Sequence, residues 1–282
     1  MVKIIADTTC GLPHDLLRDK DIPLIPQIVI FGDDSYKDDS ELDTATFLQK
    51  LKAAKELPKT AAPPPPLYYP YFENARQNGE TLIIIAPSAK VSGTVRSIEV
   101  ASQDFPDVDI RLVDTQTIAG NLGTLVLLAD QWAKEGKDAN MIVTELNQLI
   151  PRQRTYFLVD TLEYLQKGGR IGGAQALLGE MLQIKPILAI RDGQVEPFEQ
   201  QRTKRRALAR LIEIVKEQSL RGSESYLSVM QADAQNEADL FANTLKSVMA
   251  FPDIPIYELP PAIVVHGGPK TMAVGFFTAP MV

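Results

Sequence analysis

Cysteine is almost absent from this chain. Cys10 stands alone among 282 residues, which excludes an intrachain disulfide and makes a reducing compartment, the cytoplasm, the expected setting. Histidine is nearly as scarce, with only His14 and His266, so a histidine-built metal site is poorly supplied and no metal is expected. Neither H-E-x-x-H nor G-x-S-x-G occurs, which removes two familiar hydrolase signatures. Positive charge is in deficit, 29 Lys and Arg against 36 Asp and Glu for a net charge of -7, and that balance disfavours a nucleic acid partner. Long apolar runs are missing too. Stretches such as residues 82–86 and 125–129 fall far below the roughly 20 residues of a membrane-spanning helix. The opening MVKIIADTT is too short an apolar run for a signal peptide. Membrane contact is expected, at most, as a transient touch at the surface.

What is present is the composition of a globular protein, 45% hydrophobic and 23% charged, with enough chain for one or two cores. Branched, strand-like runs at 2–6, 24–31, 81–86 and 109–113 alternate with helical periods such as 43–57 and 91–102. That rhythm predicts an α/β fold with a parallel sheet covered on both faces, its functional edge at the strand ends. Helical stretches 118–135 and 140–150 then lead to Pro151-Arg152-Gln153-Arg154, where we expect a boundary between an N-terminal α/β domain, 1–154, and a C-terminal α+β domain, 155–282. The second part offers strands at 155–159, 184–191, 194–199, 226–231, 263–266 and 272–277, with helices near 203–218 and 236–250. Asp192-Gly193 between two of these strands is a two-residue hairpin signal.

Three strands of the first part end in hydroxyls and acids: Asp7-Thr8-Thr9, the run from Pro87 to Thr94, and Asp114 to Thr117. Ser92-Gly93-Thr94 opens a helical period, so Ser92 serves either as an N-cap or as part of an anion site built on the free N–H groups of a first turn. Thr60, in an extended, proline-rich stretch, either bonds its own backbone or faces the same rim. His266 ends an apolar strand run before Gly267-Gly268-Pro269, a placement that would present its ring at a strand end. The glycine-rich Lys167 to Gly173 lacks a phosphate-loop ending and reads as a mobile turn displaying Arg170. Arg202-Thr203-Lys204-Arg205-Arg206 is a dense basic cluster that is either a solvated face or, with Arg170, a docking face for an acidic partner.

Taken in order, Asp7-Thr8-Thr9, Lys59-Thr60, Ser92-Gly93-Thr94, the block Asp160-Thr161-Leu162-Glu163-Tyr164-Leu165 running into Lys167-Gly168-Gly169-Arg170-Ile171-Gly172, Arg202-Thr203-Lys204 and His266-Gly267-Gly268-Pro269 resemble the DegV family, and the motifs span nearly the whole chain. The resemblance implies a bacterial, non-catalytic carrier of two domains. It would hold a long-chain fatty acid such as palmitate in a tunnel between the domains and present the carboxylate to a separate fatty acid kinase catalytic subunit, which makes the acyl phosphate. It implies Thr60, Ser92 and His266 at the carboxylate, supported by Gly93 and Thr94, and Arg170, Arg202 and Lys204 in kinase docking or phosphate handling. No cofactor is implied beyond the bound fatty acid. Where the family follows its loop threonine with a polar run, this chain has Ala61-Ala62-Pro63-Pro64. Two other readings remain: a serine-dependent acyl hydrolase or transferase with Ser92 as nucleophile and His266 as base, and a protein-interaction module using the basic cluster.

Overall fold

The structure, a computed structural model, describes residues 1–38, 41–180 and 183–280. Three sheets organise it. The first is parallel throughout, in the spatial order Leu24–Ile25, Val2–Asp7, Thr81–Ala86, Ile110–Asp114. Its central strands carry mostly apolar runs, Ile4-Ile5-Ala6 and Leu82 to Ala86, because both faces are covered. Ile4, Ile83 and Ile85 pack against the long helix Ala119–Lys134 and the helix Ala139–Leu149. Ile5, Leu82 and Ile84 pack on the other side with Phe72 and Ile98.

The second sheet has six strands, Gln194–Gln201, Lys185–Arg191, Gln153–Leu158, Met272–Phe277, Ser228–Gln231 and Ile256–Glu258, antiparallel except for the last pair. Helices Lys204–Gln218 and Gln235–Met249 cover one face. The Asp192-Gly193 hairpin is present as expected, with φ of 49° and 80°, the paired left-handed conformations that suit the twist of the flanking strands.

The third sheet, Asp34–Lys37, Ile28–Phe31 and Lys59–Ala61, is small and antiparallel, and it corrects the expectation of one strand over 24–31. Pro26 lacks a ladder donor, and the run breaks there into two strands that join different sheets. The small sheet packs its Val29 face, with Phe47 and Leu51, against Leu162, Leu165, Val264 and Val265. A single hydrophobic cluster therefore spans the two parts of the chain. Among the described residues no helix is long and apolar enough to cross a membrane.

Candidate functional site

A narrow cavity of about 110 Å³ opens between the strand ends of the parallel sheet, the small sheet and the open face of the six-stranded sheet. Most of its wall is apolar, including Ile118, Phe157, Leu165, Ile190, Val195 and Ile263. The polar lining residues are Thr9, Gln27, Thr60, Ser92, Arg170 and His266, with Thr155 and Thr271, whose hydroxyls are engaged with Asn121 and with the Gly267 and Gly268 carbonyls.

Thr60 is delivered by strand pairing. It lies opposite Val29, and directly opposed residues share a face, so its side chain points with Val29 toward the helix Pro261–Gly267. That helix carries His266, and Thr60 Oγ1 lies 2.8 Å from His266 Nε2. The strand expected over 263–266 is thus a helix. Pro260 and Pro261 start it, since proline suits a first turn, and burial of Val264 and Val265 outweighs their β-branched preference.

Burial, with the Arg170 guanidinium as a second cause, pushes the His266 imidazole down to about 4, so the ring is neutral near pH 7. Its Nδ1 is buried with no hydrogen-bonding partner among the described residues. A buried N–H there would be an unsatisfied donor, so the network assigns the proton to Nε2, which donates to Thr60 Oγ1. The Thr60 hydroxyl hydrogen is then free for the cavity. Gly168 makes the ring's position possible, because a Cβ there would stand 2.2 Å from His266 Nδ1.

Ser92 sits one residue before the N-cap of the helix Thr94–Gln103, a position that Gly93 fills without a side-chain cap bond. Gly93 lies against Ala62, and Ser97 bonds the Pro63 carbonyl, which fastens the Thr60 loop to the Ser92 turn. Ser92 Oγ accepts from the Thr94 N–H at 3.3 Å and lies 2.8 Å from Thr94 Oγ1. Thr94 Oγ1 accepts from Gln27 Nε2 at 2.8 Å and donates to Asp7 Oδ2 at 3.2 Å. Gln27 Nε2 also reaches Asp7 Oδ2 at 2.6 Å, and Asp7 Oδ1 accepts from the Thr9 N–H at 2.9 Å. With the Thr94 hydrogen committed to Asp7, Ser92 is the donor in its contact with Thr94 Oγ1, and its one hydroxyl hydrogen reaches a ligand in the cavity only by turning away from Thr94. Burial raises the Asp7 carboxyl to about 6 against the pull of the bonds from Thr9, Gln27 and Thr94.

Arg170 is not a mobile display. Its guanidinium donates to the Val91 carbonyl at 3.0 Å and the Gly168 carbonyl at 2.7 Å, so it is held in the cavity wall. Arg202 and Lys204 do not line the cavity. Arg202 is exposed, and Lys204 pairs with Glu237 at 2.6 Å. Ser92 and His266 share the cavity, but the hydrogen bond of each goes elsewhere, to Thr94 and Thr60. The sequence reading missed Gln27, whose one signal was Pro26 interrupting an apolar run.

A family model described as "Uncharacterised protein, DegV family" matches residues 1–279. The chain belongs to the DegV family. A DegV domain-containing protein of Clostridium perfringens is 34% identical over 279 residues, 98% of each chain. Among solved structures, a fatty-acid-binding DegV family protein from Thermus thermophilus superposes with a TM-score of 0.90 at 28% identity, covering 98% of this chain and 99% of that one. DegV of Bacillus subtilis, a fatty acid binding protein, superposes with a TM-score of 0.86 at 28% identity over 98% of this chain and 99% of that one. In this DegV chain the donors and the apolar wall lie on one continuous cavity.

Proposed function

We propose that this chain binds a long-chain fatty acid, palmitate being the reference case, and presents its carboxylate to a separate fatty acid kinase. The observation that carries the reading is the cavity itself, whose mostly apolar wall also presents the Thr60 and Ser92 hydroxyls and the Arg170 guanidinium. Fatty acid binding by the solved DegV relatives supports it. Burying about 15 methylenes at about 0.8 kcal/mol each grosses about 12 kcal/mol before the costs of association. The tail therefore supplies affinity and the donors supply register.

In this reading Thr60 and Ser92 donate to the carboxylate, and His266 orients Thr60. Gly93 and Thr94 shape the turn that holds Ser92, and Arg170 balances the ligand's charge. Arg202 and Lys204, outside the cavity, belong to kinase docking. The carboxylate oxygen attacks the terminal phosphorus of a nucleoside triphosphate held by the kinase, the nucleoside diphosphate leaves, and an acyl phosphate remains. This chain supplies no reacting group, and the cytoplasm is where such a triphosphate is at hand.

The test is solvent extraction of the purified protein followed by mass spectrometry, with Thr60→Ala/Ser92→Ala as the comparison. Wild type should carry a stoichiometric fatty acid, and the double variant should bind it at least about 100-fold more weakly, as loss of two bonds to a charged group implies. Wild type that stays empty after incubation with mixed fatty acids overturns the reading. Hydrolysis of acyl esters that disappears with Ser92→Ala would replace it with the serine-enzyme alternative.

A further inference from the structure

Ser92 serves a carboxylate only when its hydrogen is released, and the groups behind it decide that release. Thr94 Oγ1 has one hydrogen and two lone pairs. Gln27 Nε2 fills one lone pair at 2.8 Å. The other lone pair and the hydrogen are divided between Asp7 Oδ2 at 3.2 Å and Ser92 Oγ at 2.8 Å. Asp7, Gln27 and Thr94 are all buried, so each bond has to be made within the row. Two arrangements satisfy both neighbours. With Asp7 ionised, Thr94 donates to Asp7 and accepts from Ser92, whose hydrogen is then engaged. With Asp7 protonated on Oδ2, every hydrogen in the row reverses: Asp7 donates to Thr94, Thr94 donates to Ser92, and Ser92, which also accepts from the Thr94 N–H at 3.3 Å, turns its hydrogen to the cavity.

The surroundings let Asp7 hold that proton. Burial moves its carboxyl toward the neutral form, and no ion pair holds it ionised among the described residues. The titratable groups that feel its charge are Cys10, from its own turn, and Tyr68, at the start of the helix Tyr69–Asn78; burial raises both, and both are neutral. On the helix Thr94–Gln103, Arg96 and Glu99 pair with each other at the surface. Across the cavity stand Arg170 and the neutral His266. We propose that Asp7 is a positioning residue for the ligand's head: a carboxylate bound at Ser92 keeps a proton on Asp7, and the hydroxyl row through Thr94 couples the two. The inference rests on the fatty acid reading and deepens it. A fatty acid that enters as the neutral acid supplies the proton itself, its O–H bond broken as the Asp7 O–H bond forms through the two hydroxyls between them; one that enters as the carboxylate draws the proton from solvent. Either way the bound head is the anion and Asp7 is neutral, so the site never holds two like charges side by side.

Palmitate is titrated by calorimetry at about pH 6.5 into wild type, Asp7→Asn, Thr94→Val and Thr94→Ser, each in two buffers of different ionisation heat, which counts the protons taken up per ligand. The ligand's own ionisation is common to all four, so differences between them belong to the protein. Wild type should take up about half a proton more than Asp7→Asn, the count for a carboxyl near 6 that rises by about one unit on binding, the scale of one hydrogen bond to a charged group. Thr94→Val, which cuts the row but leaves Asp7 in place, should lose that excess, and Thr94→Ser should restore it. A merely structural Asp7 would weaken binding and leave the count alone. A count that survives in Thr94→Val overturns the proposal in favour of His266 or of direct repulsion between the two carboxylates. If Asp7→Asn does not fold, the two Thr94 variants decide. Equal counts in wild type and the variants, with palmitate bound, sink this inference alone, whereas wild type that takes no palmitate sinks the fatty acid reading beneath it.

Discussion

Asp7 and His266 are both buried beside the donors, and both favour the neutral form, with opposite consequences for pH. The Asp7 carboxyl is raised from 3.8 to about 6, so folding favours its protonated form. Its stabilisation is complete below about pH 4 and is lost as pH rises through 6. The His266 imidazole is lowered from 6.5 to about 4, so its stabilisation is complete above about pH 6.5 and is lost as pH falls through 4. Between pH 4 and 6 the two slopes oppose each other, each near 1.4 kcal/mol per pH unit at its steepest. Single variants should unmask them. Compared with wild type, Asp7→Asn should gain thermal stability as pH rises from 4 to 6, and His266→Asn should lose it, by on the order of 2–3 kcal/mol across the interval. Melting curves at half-unit steps read this directly, and a variant profile parallel to wild type would remove that residue from the account.

At the level of elements, the helix Glu163–Lys167 ends where His266 needs room. Gly168 has ordinary helical angles, φ -77° and ψ -9°, so alanine suits its backbone but drives a methyl group into the ring. Gly169, with φ of 71° and nothing within 4 Å of its would-be Cβ, poses the opposite problem. Gly168→Ala should displace His266 and weaken fatty acid binding by about 10-fold, the value of one hydrogen bond to a charged group. Gly169→Ala should cost about 1 kcal/mol of stability and leave binding alone. Calorimetric titration of both variants, with melting curves, checks the pair; equal binding by both would separate His266 from the ligand.

Elements also show what was legible in advance. The strands at 2–6 and 81–86 declared themselves because a parallel sheet buried on both faces demands continuous apolar runs, and Asp192-Gly193 because few dipeptides accept two positive φ values. The helix carrying His266 hid for the same reason that the strands showed. Pro261, Ala262, Val264, Val265 and Gly267 are all buried, so no helical period survives in the sequence and branched residues mimic a strand. Thr60 and Ser92 were visible as candidates, but their conjunction required a small sheet whose strand Asp34–Lys37 is too polar to register as one. Gln27 stayed unseen because its partners are 20 and 67 positions away.

Across the whole molecule, the boundary we propose between 154 and 155 falls inside the strand Gln153–Leu158, and the two parts it marks share a core. Val29, Phe47 and Leu51 pack in one cluster with Leu162, Leu165 and Val264, and the Ser88 hydroxyl of the first part donates to the Gly193 carbonyl of the second at 2.6 Å. Unfolding should therefore be a single transition. Trp132, the sole tryptophan, packs with the helices of the first part and reports that part by fluorescence, while far-ultraviolet circular dichroism reports both. The two urea curves should coincide, and palmitate at about 100 times its Kd should move both by about 2.7 kcal/mol. Separated curves would mean that the parts unfold on their own.

The break in the chain at Pro26 has a mechanical meaning. Only Pro26 and Gln27 connect a strand of the parallel sheet to a strand of the small one, and Gln27 is itself clamped, its N–H to Thr8 and its amide to Asp7 and Thr94. Joint and latch are the same residue. The two sheets cannot shear past each other without stretching those bonds, so the donor region is the stiffest part of the cavity, and whatever compliance a long guest requires has to come from the apolar wall.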